Sequence, residues 1–287
     1  MILGQKREQV IRNIRRAAES GSFYSKVEID DPVLTEEQKK TILETYFSKK
    51  KTWRWQVNNR IARFAVNTAS KKLNTETIMN GLEHLSGVTG GAIVTSNHFN
   101  PLDNTLLRTL ALKTGKNKLC IASEETNLAM SGWIGYLMNY ADTVPVSSNL
   151  NYMGDKFDPM LEGLLKQENW ILIYPEQEMW FNYRKPRPLK RGAYYYAAKY
   201  RVPVISCFAE IHDLEQLDTP EFHKVRYTLH VLPTIFPDPA KGIRENSIAM
   251  CQQDYRQKTA AYEAAYGKLL TYHFEPSDIA GWIPSPI

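Results

Sequence analysis

The chain has little cysteine and no long uncharged apolar run among its 287 residues. Its three cysteines, Cys120, Cys207 and Cys251, have neither disulfide nor metal-ligand spacing, so we expect ordinary core thiols in a reducing, cytoplasmic setting. The longest interior segment without acidic or basic residues, 126–141, is shorter than the roughly 20 apolar residues that a membrane-spanning helix needs. The sequence therefore predicts no transmembrane helix, and its charged start predicts no cleavable signal.

Histidine is sparse too, and most of it follows no metal-ligand pattern. Five of the six histidines show no spacing typical of a metal site: His84, His212, His223, His230 and His273. We therefore expect no bound metal and assign these five to ordinary structural or surface positions. The sixth, His98, lies in a segment of different character.

The positive charge is concentrated at the amino-terminal end of the chain. Residues 1–72 hold 16 Lys and Arg against 8 Asp and Glu, a net charge of +8, which leaves −3 of the whole chain's +5 for the remainder. Periodicity predicts two helices in this region, separated by polar breaks: helices near 5–19 and 35–73, breaks at 20–22 and 30–32. We expect a basic helical region over 1–74 and an α/β domain over 75–287.

This basic region has three interpretations. Its helices can pack on the core with a solvated basic face, or they can bind an anionic membrane surface, where each well-placed cation contributes about 1 kcal/mol. Nucleic acid binding is a third interpretation, because Lys49, Lys50 and Lys51 precede Trp53. Nothing else in the sequence is typical of a nucleic-acid module, so we expect no nucleic-acid partner.

Short apolar segments alternate with helical patterns through the rest of the chain, which is typical of α/β proteins. We expect a mixed central sheet flanked by helices. The predicted strands lie near 91–96, 117–123, 143–147, 169–175, 202–210 and 226–236. The predicted helices lie near 101–114, 127–139, 155–167, 191–201 and 244–271. Sites in open α/β sheets commonly lie beyond the carboxyl ends of the strands.

Residues 95–103 place a histidine and a carboxylate where a predicted strand is followed by a predicted helix. Asn100 suits an N-cap and Pro101 the first helical position, which puts His98 in the loop and Asp103 on the first turn. On one continuous helix, residues five apart diverge, but a loop lets His98 fold back over Asp103. The carboxylate can then accept from one imidazole nitrogen and leave the other free as a base.

Each member of this pair also has a plain structural interpretation. An acidic side chain in the first helical turn favours the helix dipole without any chemistry. A lone loop histidine is often a surface or hydrogen-bonding residue. The catalytic interpretation is favoured by the two residues taken together and by the segments that follow them in the sequence.

Asn97-His98, followed by four residues and Asp103, resembles the first motif of the glycerolipid acyltransferases, the family of 1-acylglycerol-3-phosphate acyltransferase. The resemblance implies that His98 is the general base, that Asp103 orients it, and that an acceptor hydroxyl attacks the thioester of acyl-CoA or acyl-carrier protein. It implies no metal or redox cofactor. We expect backbone amides at the Pro101 helix start to stabilise the oxyanion.

Further segments follow in the order of that family. After the apolar run 170–174, Pro175-Glu176 resembles the third motif; residues 189–193 resemble the segment after it, and 202–205 the fourth motif, a Val-Pro-Ile type strand start. The resemblance covers roughly 93–209. It implies that Glu176 belongs to the substrate site but is not the base.

The third motif departs from the family pattern, because Gln177, Glu178 and Met179 replace Gly-Thr-Arg. The segment that resembles the second motif, 136–142, has no arginine either. Phosphate recognition favours fixed cations, so we look for substitutes in the following basic loop, which can equally be a solvated segment. The predicted substrate-binding residues are Asn97, Asn100, Pro175, Glu176, Arg184, Lys185, Arg187, Lys190 and Arg191.

The resemblance implies an acyltransferase of phospholipid biosynthesis, peripheral on the inner face of the cell membrane, with a membrane lipid as acceptor. The default acceptor is 1-acylglycerol-3-phosphate; a glycolipid or another acceptor without phosphate, and a non-catalytic lipid-binding relative, are alternatives. A metallophosphoesterase is a rival interpretation of His98 and Asp103. Such enzymes need ordered clusters of further ligands, and the sequence contains no Asp-x-His pair.

Overall fold

In a computed structural model of the chain, residues 6–29 and 32–284 are described. A seven-stranded sheet lies among them, in the order β1-β7-β6-β2-β5-β3-β4. The strands are β1 Ile78–Asn80, β2 Ala92–Thr95, β3 Leu119–Glu124, β4 Thr143–Val146, β5 Trp170–Leu172, β6 Val204–Thr219 and β7 Phe222–Val231. Neighbouring strands are parallel except for the antiparallel β6–β7 hairpin, so the predicted mixed α/β sheet is confirmed.

Helices cover both faces of the sheet, and the first three precede it in the chain. The helices are α1 Arg7–Glu19, α2 Glu36–Lys50, α3 Trp53–Leu73, α4 Asn104–Lys113, α5 Gly132–Tyr140, α6 Leu150–Tyr152, α7 Asp158–Lys166, α8 Gly192–Tyr200 and α9 Ile243–Tyr266. A π-helical turn, 153–157, joins α6 to α7, and 3-10 turns lie at 82–85, 125–129 and 276–278. In the described part of the chain no helix is long and apolar enough to cross a membrane.

The prediction of one helix over 35–73 is wrong, because the chain breaks between α2 and α3. Thr52 causes the break: its amide donates to the Lys49 carbonyl at 2.9 Å, and its hydroxyl accepts from the Trp55 amide at 3.2 Å as the cap of α3. The predicted helix start at Gln5 and the break at Asp30 and Asp31 lie outside the described residues.

The amino-terminal helices pack on the rest of the chain. The apolar side of α1, which includes Val10, Ile11 and Ile14, is buried in one cluster with Trp180 and Phe181. From α3, the Trp55 indole nitrogen donates to the Asn139 carbonyl at 3.2 Å, and Arg63 pairs with Asp142 at 2.6 Å. The core-packing interpretation therefore applies to α1 and to one side of α3. The predicted domain boundary at residue 74 stays a prediction.

Several strands and helices have other bounds in the structure than predicted, because of strand pairing or because of a glycine. β6 runs nine residues beyond the predicted 210 because it pairs with β7 in a hairpin, and β1 was missed because three residues carry no periodic pattern. The predicted helix 127–139 begins only at Gly132 (φ 63°), after a 3-10 turn, and the helix predicted to reach 271 ends before Gly267 (φ 63°). Both glycines adopt the left-handed conformation that this residue tolerates best.

The fold places the ends of two central strands at one edge. β2 pairs in parallel with β5 on one side and β6 on the other, with Val94 opposite Leu172 and Ile205. The four residues of β2 are buried, as a strand covered on both faces requires. The segments that follow β2 and β5 therefore emerge side by side, at the edge where open α/β sheets hold their sites, while β6 continues past this edge to Thr219.

Candidate active site

The segment after β2 is a tight loop that ends at α4. The predicted N-cap Asn100 and first helical residue Pro101 are wrong: residues 101–103 form a turn, Asp103 is the cap residue, and α4 begins at Asn104. The reason is that the side chain of Asn100 accepts from the Leu102 amide at 3.0 Å and closes a small turn of its own. Asp103 Oδ2 accepts from the amides of Phe99 (2.9 Å) and Asn100 (3.2 Å), which fixes the loop.

This loop brings His98 and Asp103 together. The imidazole Nδ1 lies 2.7 Å from Asp103 Oδ2, and the histidine side chain is 21% exposed while the carboxylate is 1% exposed. Because an ionised carboxylate only accepts, Nδ1 carries the hydrogen of this bond. Nε2 has no hydrogen-bond partner among the described residues, so it is available at the partly open side of the ring to accept a proton.

Tyr174, just beyond β5, completes the surroundings of the pair. Its hydroxyl donates to Asp103 Oδ1 at 2.5 Å, and its ring stacks on the His98 ring, with centroids 3.9 Å apart and planes 10° from parallel. Burial, with Asp103 adding to it, raises the pKa of Tyr174 well above its ordinary value, so the phenol remains a donor. In the sequence, Tyr174 was marked only as the last residue of the apolar run 170–174 before the third motif.

A buried ion pair of Glu176 and Arg187 supports the same loop from below. Glu176 Oε2 accepts from the His98 amide at 3.2 Å and from Arg187 Nη2 at 2.9 Å, and Oε1 accepts from the Arg187 amide at 2.9 Å. Arg187 also donates to the carbonyls of Phe23, at 2.9 Å, and Glu178. Burial lowers the pKa of the guanidinium and Glu176 opposes that effect. All described contacts of Arg187 are with the protein itself.

The remaining cations of the basic loop differ in their burial and in their partners. Lys185 is buried and donates to Asp278 and to the His273 carbonyl, both at 2.7 Å, while Arg184 pairs with Asp213. Lys190 and Arg191 are exposed, and the Lys190 ammonium lies 3.8 Å from the centroid of the Tyr24 ring. The interpretation of the whole loop as a solvated basic segment is therefore wrong for Lys185 and for Arg187.

Three further predicted substrate-binding residues lie at this edge, and each forms hydrogen bonds with other parts of the chain. The Asn97 amide group exchanges two hydrogen bonds with the Ala209 backbone, at 3.0 and 2.8 Å, and so joins the end of β2 to β6. The Asn100 side chain reaches Asn182 at 3.4 Å. Pro175 is buried, and its carbonyl accepts from the Lys190 amide at 2.8 Å. Their roles toward a substrate stay predictions.

The backbone amides of the loop do not form the predicted oxyanion site. The amides of His98, Phe99, Asn100, Leu102 and Asp103 all donate to acceptors inside the loop or on Glu176. Proline at the intervening position has no N–H to offer. These five amides are therefore not the donors that stabilise a developing oxyanion, and the assignment of donors at the start of α4 stays a prediction.

One buried polar cluster beneath the site was missed by sequence reasoning. Asp254 and Lys258 of α9 form an ion pair with both side chains 0% exposed, against the sheet where β2 ends and β6 begins. Asp254 accepts from Thr95, Ser206 and Tyr194, and Lys258 donates to Thr95 at 3.0 Å and Ser206 at 3.3 Å. Burial acts to raise the pKa of Asp254, but Lys258 and the hydroxyl donors outweigh it, so that pKa is lowered.

A metal site requires several His, Cys, Asp or Glu side chains close together. Residues 6–29 and 32–284 contain no group of three or more His, Cys, Asp or Glu side chains placed to hold a metal ion. The predictions that the reaction needs no metal and no redox cofactor stay predictions.

A histidine held by a buried carboxylate, at the carboxyl edge of a mixed α/β sheet, is the arrangement of an enzyme that activates a hydroxyl or water by general-base catalysis. The family model described as Acyltransferase matches residues 71–210, the part of the chain that carries the His98 loop, Tyr174 and Glu176. The predicted resemblance to the glycerolipid acyltransferases is confirmed by this match.

A solved structure gives the same fold. The 1-acyl-sn-glycerophosphate (LPA) acyltransferase PlsC from Thermotoga maritima matches with a TM-score of 0.52 over 92% of this chain and 100% of that chain. The two sequences are 14% identical, so this likeness concerns the fold alone. No curated protein matches the sequence.

Proposed function

We propose that the chain is an O-acyltransferase of phospholipid biosynthesis, which moves a fatty acyl group from acyl-CoA or acyl-carrier protein to the hydroxyl of a lysolipid. The default acceptor is 1-acylglycerol-3-phosphate. The observation that carries this proposal is the His98 ring, fixed by Asp103 through Nδ1 and unpartnered at Nε2 among the described residues. The match of residues 71–210 to the Acyltransferase family model supports the acyl-transfer chemistry.

The reaction follows from this geometry in two steps. Nε2 of His98 takes the proton of the acceptor hydroxyl while the acceptor oxygen forms a bond to the thioester carbonyl carbon, and Asp103 stabilises the imidazolium that results. The tetrahedral oxyanion then collapses, the carbon–sulfur bond breaks, and the leaving thiolate takes the proton from the imidazolium. The products are the ester and the free thiol, and no metal or redox cofactor enters either step.

The contacts of the basic loop bear on whether the acceptor's head group carries a phosphate. Met179 stands at the motif position of the family's arginine, and Lys185 and Arg187 direct their charges to Asp278 and Glu176. These contacts favour the alternative acceptor, a glycolipid or another lysolipid without a terminal phosphate. The exposed Lys190 and Arg191 favour the default, because a phosphate at the rim would meet two cations.

Product analysis with a panel of lysolipids tests the function and the acceptor class together. The purified chain, given acyl-CoA and acyl-carrier protein donors, should convert at least one lysolipid to its diacyl product, detected by mass spectrometry. With 1-acylglycerol-3-phosphate as acceptor, a Lys190→Gln/Arg191→Gln variant should raise KM by roughly tenfold, since two charge-assisted contacts are removed. Preference for acceptors without phosphate would overturn the default, and no diacyl product from any pair would overturn the acyltransferase proposal.

We also propose that the chain is cytoplasmic and attaches peripherally to the inner face of the cell membrane through α3. One side of α3 exposes an apolar stripe at helical spacing: Trp53 (71% exposed), Val57 (44%), Ile61 (55%) and Phe64 (75%). Monomeric proteins seldom leave such a stripe uncovered without a binding role. Exposed Arg54 and Arg60 flank it, and cations beside an apolar face suit an anionic bilayer surface.

Vesicle binding tests this attachment. A Trp53→Ser/Phe64→Ser variant should lose most of its co-sedimentation with vesicles that contain anionic phospholipid, because it removes the two most exposed rings of the stripe. Leu269→Ser is the matched control, since Leu269 is 77% exposed outside α3. Equal binding by the α3 variant and the control would contradict the proposal.

A further inference from the structure

Tyr174 makes two separate contacts with the candidate catalytic pair. Its hydroxyl donates to the carboxylate oxygen of Asp103 that does not face the imidazole, at 2.5 Å. Its ring lies flat against the His98 ring, with centroids 3.9 Å apart. A continuous path of hydrogen bonds therefore runs from the phenol through both carboxylate oxygens to Nδ1 of the imidazole.

The hydroxyl contact changes how strongly Asp103 attracts the imidazole proton. Asp103 Oδ2 already accepts from two backbone amides as well as from Nδ1, so the phenol is the fourth donor to one carboxylate. Each donor withdraws negative charge from the carboxylate and weakens its stabilisation of an imidazolium. The phenol hydrogen bond thus helps to keep the imidazole neutral, which is the form that can act as a base.

The ring contact has a different effect. Stacking against a buried aromatic side chain fixes the plane of the imidazole, so that Nε2 keeps one direction while Nδ1 keeps its bond to Asp103. A phenylalanine at 174 would preserve this contact and remove only the hydrogen bond. The two effects of Tyr174 can therefore be separated by substitution.

We propose that Tyr174 is a positioning residue of this site, whose hydroxyl sets the basicity of His98 through Asp103 and whose ring fixes the orientation of the imidazole. This inference rests on the proposed function. The other titratable groups that face the site stay in place when only the hydroxyl is removed: Glu176 with Arg187 below the loop, Arg108 on α4, and Tyr227 on β7. A change in the pH dependence can therefore be assigned to the loss of the hydroxyl.

The pH dependence of kcat/KM tests the proposal with the most effective lysolipid acceptor. In Tyr174→Phe the carboxylate regains charge and holds the imidazolium more tightly, so the acidic limb should move to higher pH by roughly half a unit or more. Tyr200→Phe is a matched control, because the Tyr200 hydroxyl also donates to a carboxylate, that of Asp158, away from His98. An acidic limb that stays at the wild-type pH, or one that the control moves equally, would overturn the proposal.

Nuclear magnetic resonance of histidine-labelled protein separates a failure of this proposal from a failure of the proposed function. The ring signals of His98 are assigned by their loss in His98→Ala, and their titration midpoint is measured without any substrate. Tyr174→Phe should raise that midpoint relative to wild type, and an unchanged midpoint would overturn the proposal. Absence of acyl transfer in wild type would count only against the proposed function.

Discussion

A His98→Ala variant should lose acyl transfer while it keeps its fold. The His98 imidazole combines a buried carboxylate partner with a nitrogen left unpartnered among the described residues, at the edge of the sheet where β2 ends. General-base catalysis of this kind typically contributes about 10²–10⁴ in rate, so we expect kcat to fall by at least that range. The fold should survive because His98 is partly exposed and its side chain makes one polar contact, to Asp103.

Two controls make this result interpretable. His223→Ala removes a partly exposed histidine of the β6–β7 hairpin, outside the His98 loop, and should leave kcat unchanged. Circular dichroism and thermal unfolding should give nearly the same curves for His98→Ala as for wild type. A folded His98→Ala protein with near-normal turnover would contradict the proposed mechanism.

The His98–Asp103 pair was predictable from the sequence because both residues lie in one short loop. Its detailed geometry was not, since the sequence pattern placed Asp103 inside the helix, whereas its side chain closes the loop by accepting two loop amides. An aspartate that caps a loop and one that begins a helical turn have similar local patterns. The contact to Tyr174 spans 71 residues and depends on the pairing of β2 with β5, which no local pattern specifies.

The burial of charged residues in the basic loop was likewise not predictable from the local sequence. Arg187 and Lys185 lie in a segment rich in cations and proline, which by composition is typical of a solvated loop. Both are buried because acidic partners arrive from other parts of the chain, Glu176 for Arg187 and Asp278 for Lys185. A cation's burial is decided by such partners, and they are not visible in the local sequence.

The order of helices and strands was predictable for a different reason. The central strands β2 and β5 are short, apolar except for Thr95 and followed by helical patterns, and parallel strands buried on both faces have this signature. The β6–β7 hairpin was less predictable, because its outer half alternates partly exposed and exposed residues and leaves the main sheet. β1 depends wholly on its pairing with β7.

The buried ion pair of Asp254 and Lys258 had a sequence signal that was not used. Pairs of opposite charge four residues apart on a helix are usually surface contacts. Here Met250 and Tyr262 lie four residues before and after the pair, and both are buried, so the pair occupies the apolar side of α9. A charged pair on the apolar face of a helix indicates a buried network, in this case one that joins α9 to Thr95, three residues before His98.

A Lys258→Met variant should be strongly destabilised. Removal of one partner leaves the Asp254 carboxylate buried with three hydroxyl donors and no cation, and loss of one member of a buried pair typically costs about 3–5 kcal/mol. Lys241→Met is the matched control, because Lys241 forms an exposed pair with Asp238 and its replacement should hardly change unfolding. Urea unfolding at pH 7 measures the difference.

The double variant Asp254→Asn/Lys258→Met identifies the uncompensated charge as the cause. Asparagine keeps a carbonyl oxygen for the Thr95, Ser206 and Tyr194 hydroxyls but carries no charge, so the double variant should be more stable than Lys258→Met alone. Since the folded-state pKa of Asp254 is lowered, its ionised form stabilises the wild type above the unfolded-state value, and that contribution disappears as the pH falls through the folded-state value. Lys258→Met should therefore lose less stability than wild type as the pH is lowered toward that range. Equal stability of Lys258→Met and wild type at pH 7, or a double variant as unstable as the sum of its single changes, would contradict this account of the network that supports the His98 strand.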